Sequence, residues 1–378
     1  MSIALEKFVE QIHTSPTKVV MAMSGGGSRA LADLLETPGA SRTVLEALVP
    51  YSREALESLI QGKPDQFCSH RTARALAMVA FRRAWEYVGQ QGPVAGISCT
   101  ASLATDRPKL GDHRAYIAVQ TDKLTLFWSL GLQKGARTRA QEELVVSRLF
   151  LNAVAEACGV EERLDLELLE GETVELSRTV SLPVWRALLM GTVDMLPQGG
   201  PALRGSSEGL RAVFPGEFNP LHVGHRRMAE IAKRLLGTPV EFEISINNVE
   251  KPPLDYYEIQ RRVGQFAPEQ TVWLTRAARF VEKARLFPGA TFIVGIDTVR
   301  RIASPRFYAG AAACEEAIES IAARGCRFLV FGRNLGTGFV SLGNLDLPSS
   351  LQAICQEVPA DEFREDVSST NMRRAGLW

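Results

Sequence analysis

The sequence predicts two α/β domains in series, the second of them a doubly wound parallel sheet. Two observations carry this. From residue 211 onward, short apolar segments alternate with amphipathic helical ones, and between 18 and 159 strand-like and helix-like segments are mixed. The stretch "PQGGPALRGSSEG" (197–209), rich in Gly, Pro and Ser, stands between the two regions as a linker. A length of 378 residues suits two domains, expected at 1–165 and 209–378 with residues 166–208 connecting them.

Composition narrows the function classes. Lys plus Arg and Asp plus Glu number 43 each, so no global field recruits nucleic acid or an anionic membrane. No apolar run reaches the roughly 18 residues of a membrane span. The opening "MSIALEKFVEQIHT" does not read as a secretory signal, and the six cysteines include no C-x-x-C pair. A cytoplasmic location with reduced thiols is expected.

In the first region, "KVVMAMS" reads as a buried strand, "GGGS" as a turn and "RALADLLET" as a helix stopped by Pro38-Gly39. "RTARALAMVAFRRAWEYV" is a long helix with Ser69 placed to cap it. "AYIAVQT" and "KLTLFWSL" are adjacent strands, and "RAQEELVVSRLFLNAVAEAC" is a helix ending at Gly159. The second region begins with the strand "LRAVF", the loop "PGEFNPLHVG" and the helix "HRRMAEIAKRLLG". There follow "VEFEISI", "YYEIQRRVGQF", "TVWLT", "RAARFVEKARLF", "ATFIVGID" and "CRFLVFGR", strand and helix in turn. Right-handed crossovers then make the sheet parallel, with ligands expected at the carboxyl ends of its strands. Trp273 and Phe280 read as core rather than stacking partners.

The chemistry concentrates in "FPGEFNPLHVGH" (214–225). Only five histidines occur in the chain, and His222 and His225 stand three apart just before a helix. A metal site would need a third ligand at a convincing spacing, and none is nearby. General base catalysis lacks a carboxylate partner and a hydroxyl nucleophile. Phosphate binding fits best: a helix N-terminus offers free N–H groups, and Gly216 and Gly224 allow close approach to the main chain. Near the other end, "VSSTNMRR" places hydroxyls ahead of Arg373 at a helix start, which again suits a phosphate chain.

Together, "GEFNPLHVGH" and "SSTNMR" resemble the nucleotidyltransferase superfamily marked by H-x-G-H and a C-terminal S-S/T-T-x-x-R. Its members include pyridine mononucleotide and pantetheine-phosphate adenylyltransferases and several cytidylyltransferases. The resemblance implies a Rossmann-like domain that moves a nucleoside monophosphate from a triphosphate to a small phosphorylated acceptor, releasing pyrophosphate. It implies contacts from His222 and His225 to the triphosphate and from Gly216, Phe218, Asn219 and Gly224 to nucleotide and substrate. Ser369, Thr370 and Arg373 would hold the outer phosphates, and Mg2+ would be carried mainly by the phosphates themselves. Lys251 and Asp297 match positions where relatives touch substrate, against the plainer readings of a surface lysine and a helix-capping aspartate. AMP transfer to NMN or NaMN is the leading expectation. The pantetheine-phosphate enzyme, a cytidylyltransferase and a non-catalytic nucleotide sensor stay open.

The segment "MAMSGGGSRALADLLETPGASRTVLEALVPYSREAL" resembles the CinA C-terminal domain, a nicotinamide mononucleotide amidase, over residues 5–160. That family attacks an amide with a serine activated by a lysine. Ser24 matches the serine, but Leu56 stands at the lysine position and "GISCTASLA" replaces a Gly-rich loop. The expectation is an inactive amidase relative kept for binding, regulation or self-association, with a bifunctional enzyme as the alternative. "SGGGS" is open between a phosphate cradle involving Arg29 and a structural turn.

Overall fold

The computed structural model describes residues 3–106, 110–200, 210–334, 338–364 and Met372. Contacts divide the chain into two compact units, Met1–Arg186 with Glu250–Glu258, and Ala187–Val249 with Ile259–Trp378.

In the first unit a six-stranded sheet runs β2 (Val44–Leu48), β1 (Lys18–Ser24), β3 (Val94–Ser102), β4 (His113–Thr121), β5 (Leu124–Leu132) and β6 (Thr173–Val180). The pairs of β1 with β2 and β3 are parallel, while β3 to β6 form an antiparallel meander. Alternation along β1 splits its side chains between two layers. Val19, Met21 and Met23 join the core under α1 (Ile3–Thr14), α2 (Arg29–Glu36) and α5 (Arg139–Cys158). Ala22 faces the other way, toward Leu56 and Ile60 of α3 (Arg53–Ile60) and Leu76 of α4 (His70–Tyr87). The expected caps are present: the Ser69 hydroxyl accepts from the Thr72 N–H at 3.1 Å, and Gly159 closes α5 with φ +74°.

Helix α4 lies unusually close to the sheet because Ala73, Ala77, Ala80 and Ala84 form its buried stripe. The Ser98 hydroxyl donates to the Ala73 carbonyl at 2.5 Å, and a Cβ on Gly96 would meet the Ala77 oxygen and the Phe81 nitrogen at 2.1 Å each. The same helix carries Arg74, which is fully buried and donates to Asp255 (2.5 Å) and Glu258 (3.0 Å) beneath the Tyr257 ring. The segment 250–258, which carries both carboxylates, groups with the first unit.

The second unit holds a seven-stranded sheet. Its strands are β7 (Met195–Gln198), β8 (Ala212–Pro215), β9 (Val240–Ser245), β10 (Val272–Thr275), β11 (Thr291–Gly295), β12 (Arg327–Phe331) and, after a ribbon of β13 (Arg333–Asn334) and β14 (Phe339–Val340), β15 (Cys355–Val358). Across the sheet the order is β15-β12-β11-β8-β9-β10-β7. All neighbours are parallel except β7, which is antiparallel to β10. With β7 set aside, the order is the doubly wound 3-2-1-4-5-6 arrangement, as expected from the alternating pattern. The crossovers carry α7 (Val223–Leu236), α8 (Tyr256–Val263), α9 (Phe280–Leu286), α10 (Ile296–Ile302), α11 (Ala311–Ala323) and α12 (Ser349–Gln352). Val213, Phe292 and Phe328 belong to the core on the side of α9 and α11. Phe214, Phe218, Phe242 and Phe266 form an aromatic cluster of their own.

One expectation is corrected. Residues 166–208 are not only a connector: they supply the edge strand β6 to the first sheet, the helix α6 (Pro183–Met190) and the edge strand β7 to the second sheet. Edge strands are half-solvated, so the run "TVELSRTV" lacks a buried strand's apolar signal, and Pro197 in β7 is tolerated because an edge leaves one side unpaired. No helix among the described residues is long and apolar enough to cross a membrane.

Replacing Gly96 by alanine should destabilise the first unit by at least ~2 kcal/mol, because both clashing atoms are backbone and cannot rotate away. Urea denaturation followed by circular dichroism would show the shift, and an unchanged midpoint would contradict the close α4–β3 packing.

Candidate active site

The sheet order locates the site. Connections leave β8 and β11 in opposite directions, so a crevice opens between their carboxyl ends. The turn 216–222 follows β8, and Asp297 lies in the first turn of α10 just beyond β11.

The turn is shaped by Phe218, a non-glycine residue at φ +42° whose ring is 1% exposed. That ring packs edge-on against Phe214, Phe242, Phe266 and His225, with centroids 5.1–5.5 Å apart. Gly216 is required by the same ring, since a Cβ there would meet its atoms at 2.7–3.0 Å. Asn219 is buried; its Oδ1 accepts from Arg261 at 2.5 Å. The expected floor residues therefore serve to build the turn.

His222 is the N-cap of α7 and His225 its third residue, with the rings stacked at 3.7 Å. The His222 backbone N–H donates to His225 Nδ1 at 3.3 Å. An imidazole nitrogen that accepts carries no proton, so neutral His225 has its proton on Nε2. Burial, with a smaller contribution from His222, pushes the His225 pKa down to about 3. Burial and then the Arg333 guanidinium lower that of His222. Both histidines are thus neutral donors rather than cations at neutral pH. The first-turn amides of Val223, Gly224 and His225 have no intrahelical acceptor, as at any helix start, and the positive end of the dipole lies there. The open amides at the start of α7 and an Nε2–H donor at a sheet's ligand edge can receive an anion.

Arg333 completes it. It follows β12 and pairs with Asp297 at 2.7 Å, both side chains being partly exposed. Asp297 is accordingly a partner of this arginine. Arg333 escaped the sequence reading, although its place just beyond a strand's carboxyl end was a usable signal. Arg262, which donates to the Glu217 carbonyl at 3.1 Å, and Gln265 also escaped it, because they reach the turn from more than 40 residues away.

Beside the turn, at the ends of β8 and β9, lies a cavity of about 230 Å³ lined by Phe280, Phe307 and Tyr308, by exposed Arg279 and Arg301, and by Glu217. Beneath it Lys283 donates to both oxygens of buried Glu243 (2.7 and 2.8 Å) and to the Ala277 carbonyl (2.9 Å). Thr275 donates to the same carboxylate at 2.5 Å, so the pair is fully satisfied in place. Trp273 is core as expected, and Phe280 packs against the same core while also lining the cavity. Lys251 belongs to the stretch 250–258 that groups with the first unit. Ser369, Thr370 and Arg373 lie outside the described residues.

In the first unit Ser24 ends β1, and Leu56 is 2% exposed in an apolar cluster with Ala22, Ile60 and Leu76. The "SGGGS" turn is structural. A Cβ on Gly25 would meet the Ala101 carbonyl at 2.0 Å, and one on Gly26 the Leu103 side chain at 2.8 Å. At the start of α2 the Ser28 hydroxyl (3.1 Å) and the Arg29 amide (3.3 Å) both donate to Glu143. The Glu143 carboxylate thus takes two of the donors at this helix start.

Residues 213–375 match the family model described as Cytidylyltransferase-like, so the C-terminal region is nucleotidyltransferase-like. Among solved structures, the competence/damage-inducible protein CihA from Agrobacterium tumefaciens is 17% identical, with TM-score 0.35, covering 42% of this chain and 99% of that one. A competence or damage-inducible protein from Enterobacter asburiae is 14% identical, with TM-score 0.31, covering 41% and 96%. A CinA superfamily protein from Escherichia coli is 13% identical, with TM-score 0.32, covering 42% and 92%. A search of curated proteins gave no match.

The low His225 pKa has a measurable consequence. Its folded value lies below the ordinary imidazole value, so on acidification the unfolded chain takes up the proton first. Stability from this group is complete above pH ~6.5 and falls between there and about 3; by pH 5 the loss should reach up to about 2 kcal/mol. Chemical denaturation at pH 7 and pH 5 should show His225→Asn losing less than the native chain, and equal losses would refute the assignment.

Proposed function

We propose that the second unit transfers a nucleoside monophosphate from a nucleoside triphosphate to a small phosphorylated acceptor. The observation that carries this reading is the α7 N-terminus, with His225 held in its Nε2–H tautomer at the switch point of a 3-2-1-4-5-6 sheet. In the reaction an acceptor phosphate oxygen forms a bond to the α-phosphorus as the bond to the β-bridging oxygen breaks, and pyrophosphate leaves with the electron pair. No covalent enzyme intermediate is needed, so positioning and charge stabilisation supply the catalysis. His225 donates from Nε2 to the α-phosphate, the α7 amides receive the phosphate chain, and Arg333 neutralises its charge. Ser369, Thr370 and Arg373 are assigned to the outer phosphates on their motif alone.

Among the described residues no cluster of three His, Cys, Asp or Glu could hold a metal ion. Mg2+ would come with the nucleotide, bound through its phosphates, where it would offset their charge. The cavity offers aromatic walls and two exposed arginines among its lining residues. It suits an acceptor with a planar base and a phosphate; on the motif resemblance, AMP transfer from ATP to NMN or NaMN is the leading assignment.

Pyrophosphate release from ATP and CTP against a panel of phosphorylated acceptors tests the reading, and no release from any pair would overturn it. With the active pair, His225→Ala should lower kcat by about 10²–10³-fold while the fold persists.

The first unit is proposed to be catalytically silent. Deprotonating the Ser24 hydroxyl needs a base within hydrogen-bond reach, and the lysine position is an apolar core site. Ammonia release from NMN should match that of Ser24→Ala, and Leu56→Lys should not restore it. Ser24-dependent ammonia production would favour a bifunctional enzyme.

A further inference from the structure

The geometry points to Gln265 as a positioning residue for nucleotidyl transfer: its carboxamide bridges the turn before His222 and so keeps His225 donating from Nε2. The inference rests on the functional reading above. Gln265 lies just past the end of α8 and is half-buried. Its Oε1 accepts from the Leu221 N–H at 2.8 Å, and its Nε2 donates to the Phe218 carbonyl at 2.8 Å and to the Arg262 carbonyl at 3.2 Å.

Two features make this bridge consequential. Phe218 holds a left-handed conformation that costs a non-glycine residue roughly 1–2 kcal/mol; burial of its ring offsets the cost, while side chains from outside the turn hold the backbone polar groups around it. The amides of Leu221 and His222 are consecutive: the first is fixed by Gln265, and the second makes the 3.3 Å bond that leaves His225 Nδ1 unprotonated. A bond that long is sensitive to the tilt of its peptide. Arg261 and Arg262 also brace the turn, through the Asn219 side chain and the Glu217 carbonyl, but neither holds the Leu221 amide. The task needs an acceptor and a donor on one planar group. Glutamate keeps the shape but loses the donor, setting a carboxylate oxygen against the Phe218 carbonyl. Methionine loses both.

The test uses the full chain labelled with ¹⁵N-histidine and the substrate pair that the native chain turns over. Native His225 should show the Nε2–H tautomer, whereas Gln265→Glu and Gln265→Met should show a mixture. Both variants should lose about ten-fold in kcat, with the acceptor KM changing by less than about two-fold. Gln265→Glu alone should recover toward the native rate as pH is lowered and its carboxyl regains a proton to donate. A native Nδ1–H tautomer would overturn the inference, as would an unchanged tautomer and kcat in the folded variants, or a kcat loss without a tautomer change. A tautomer shift in a chain that transfers nothing would leave the brace standing and remove the functional reading instead.

Discussion

The second unit is organised around the burial of one ring. Phe218 is held in the left-handed region, and its ring fills the space among Phe214, Phe242, Phe266 and His225. Burying such a side chain contributes about 1.5–3 kcal/mol, enough to offset the backbone cost and fold the loop back on the sheet. Everything at the crevice inherits that decision. Residue 216 must lack a Cβ, Asn219 is drawn inside to meet Arg261, and the chain enters α7 with both histidines at its N-terminus.

The electrostatics follow from the same burial. A cationic imidazole at that depth would pair with an anion more strongly but would have to be desolvated in the empty site. The chain uses neutral donors inside and leaves formal positive charge to Arg333, Arg279 and Arg301, which are at least partly exposed. The buried charges, Lys283 and Glu243, satisfy each other with Thr275 and the Ala277 carbonyl and are left without donors for a ligand. Permanent charge at the rim and preorganised dipoles inside suit a phosphate chain that must enter and leave.

In the first unit packing and an internal carboxylate fill the turn that follows β1. The glycines of the "SGGGS" turn accommodate the end of β3, and Glu143 takes the donors at the start of α2. A lysine at position 56 would place an ammonium among Ala22, Ile60 and Leu76 without a partner. The first unit is a well-packed scaffold, whose buried Arg74 binds the carboxylates of Asp255 and Glu258.

Local periodicity was enough to place β1, α4, α5 and the alternating elements of the second unit, because apolar spacing and the caps and glycines that bound such segments are properties of short stretches of chain. It also placed His222 and His225 at a helix start, since a short motif at the end of a strand is a local property. The edge strands β6 and β7 were not legible: half their side chains face solvent, and what defines them is a hydrogen-bonding neighbour supplied by the rest of the chain. Gly216, Phe218 and Asn219 were visible as a motif but not as architecture, because only the packed ring shows why those residue types are needed. Arg333, Arg262 and Gln265 carried no motif at all. The folded sheet brings their strand and helix ends to a turn tens of residues away, and hydrogen bonds across that separation exist only once the chain has closed.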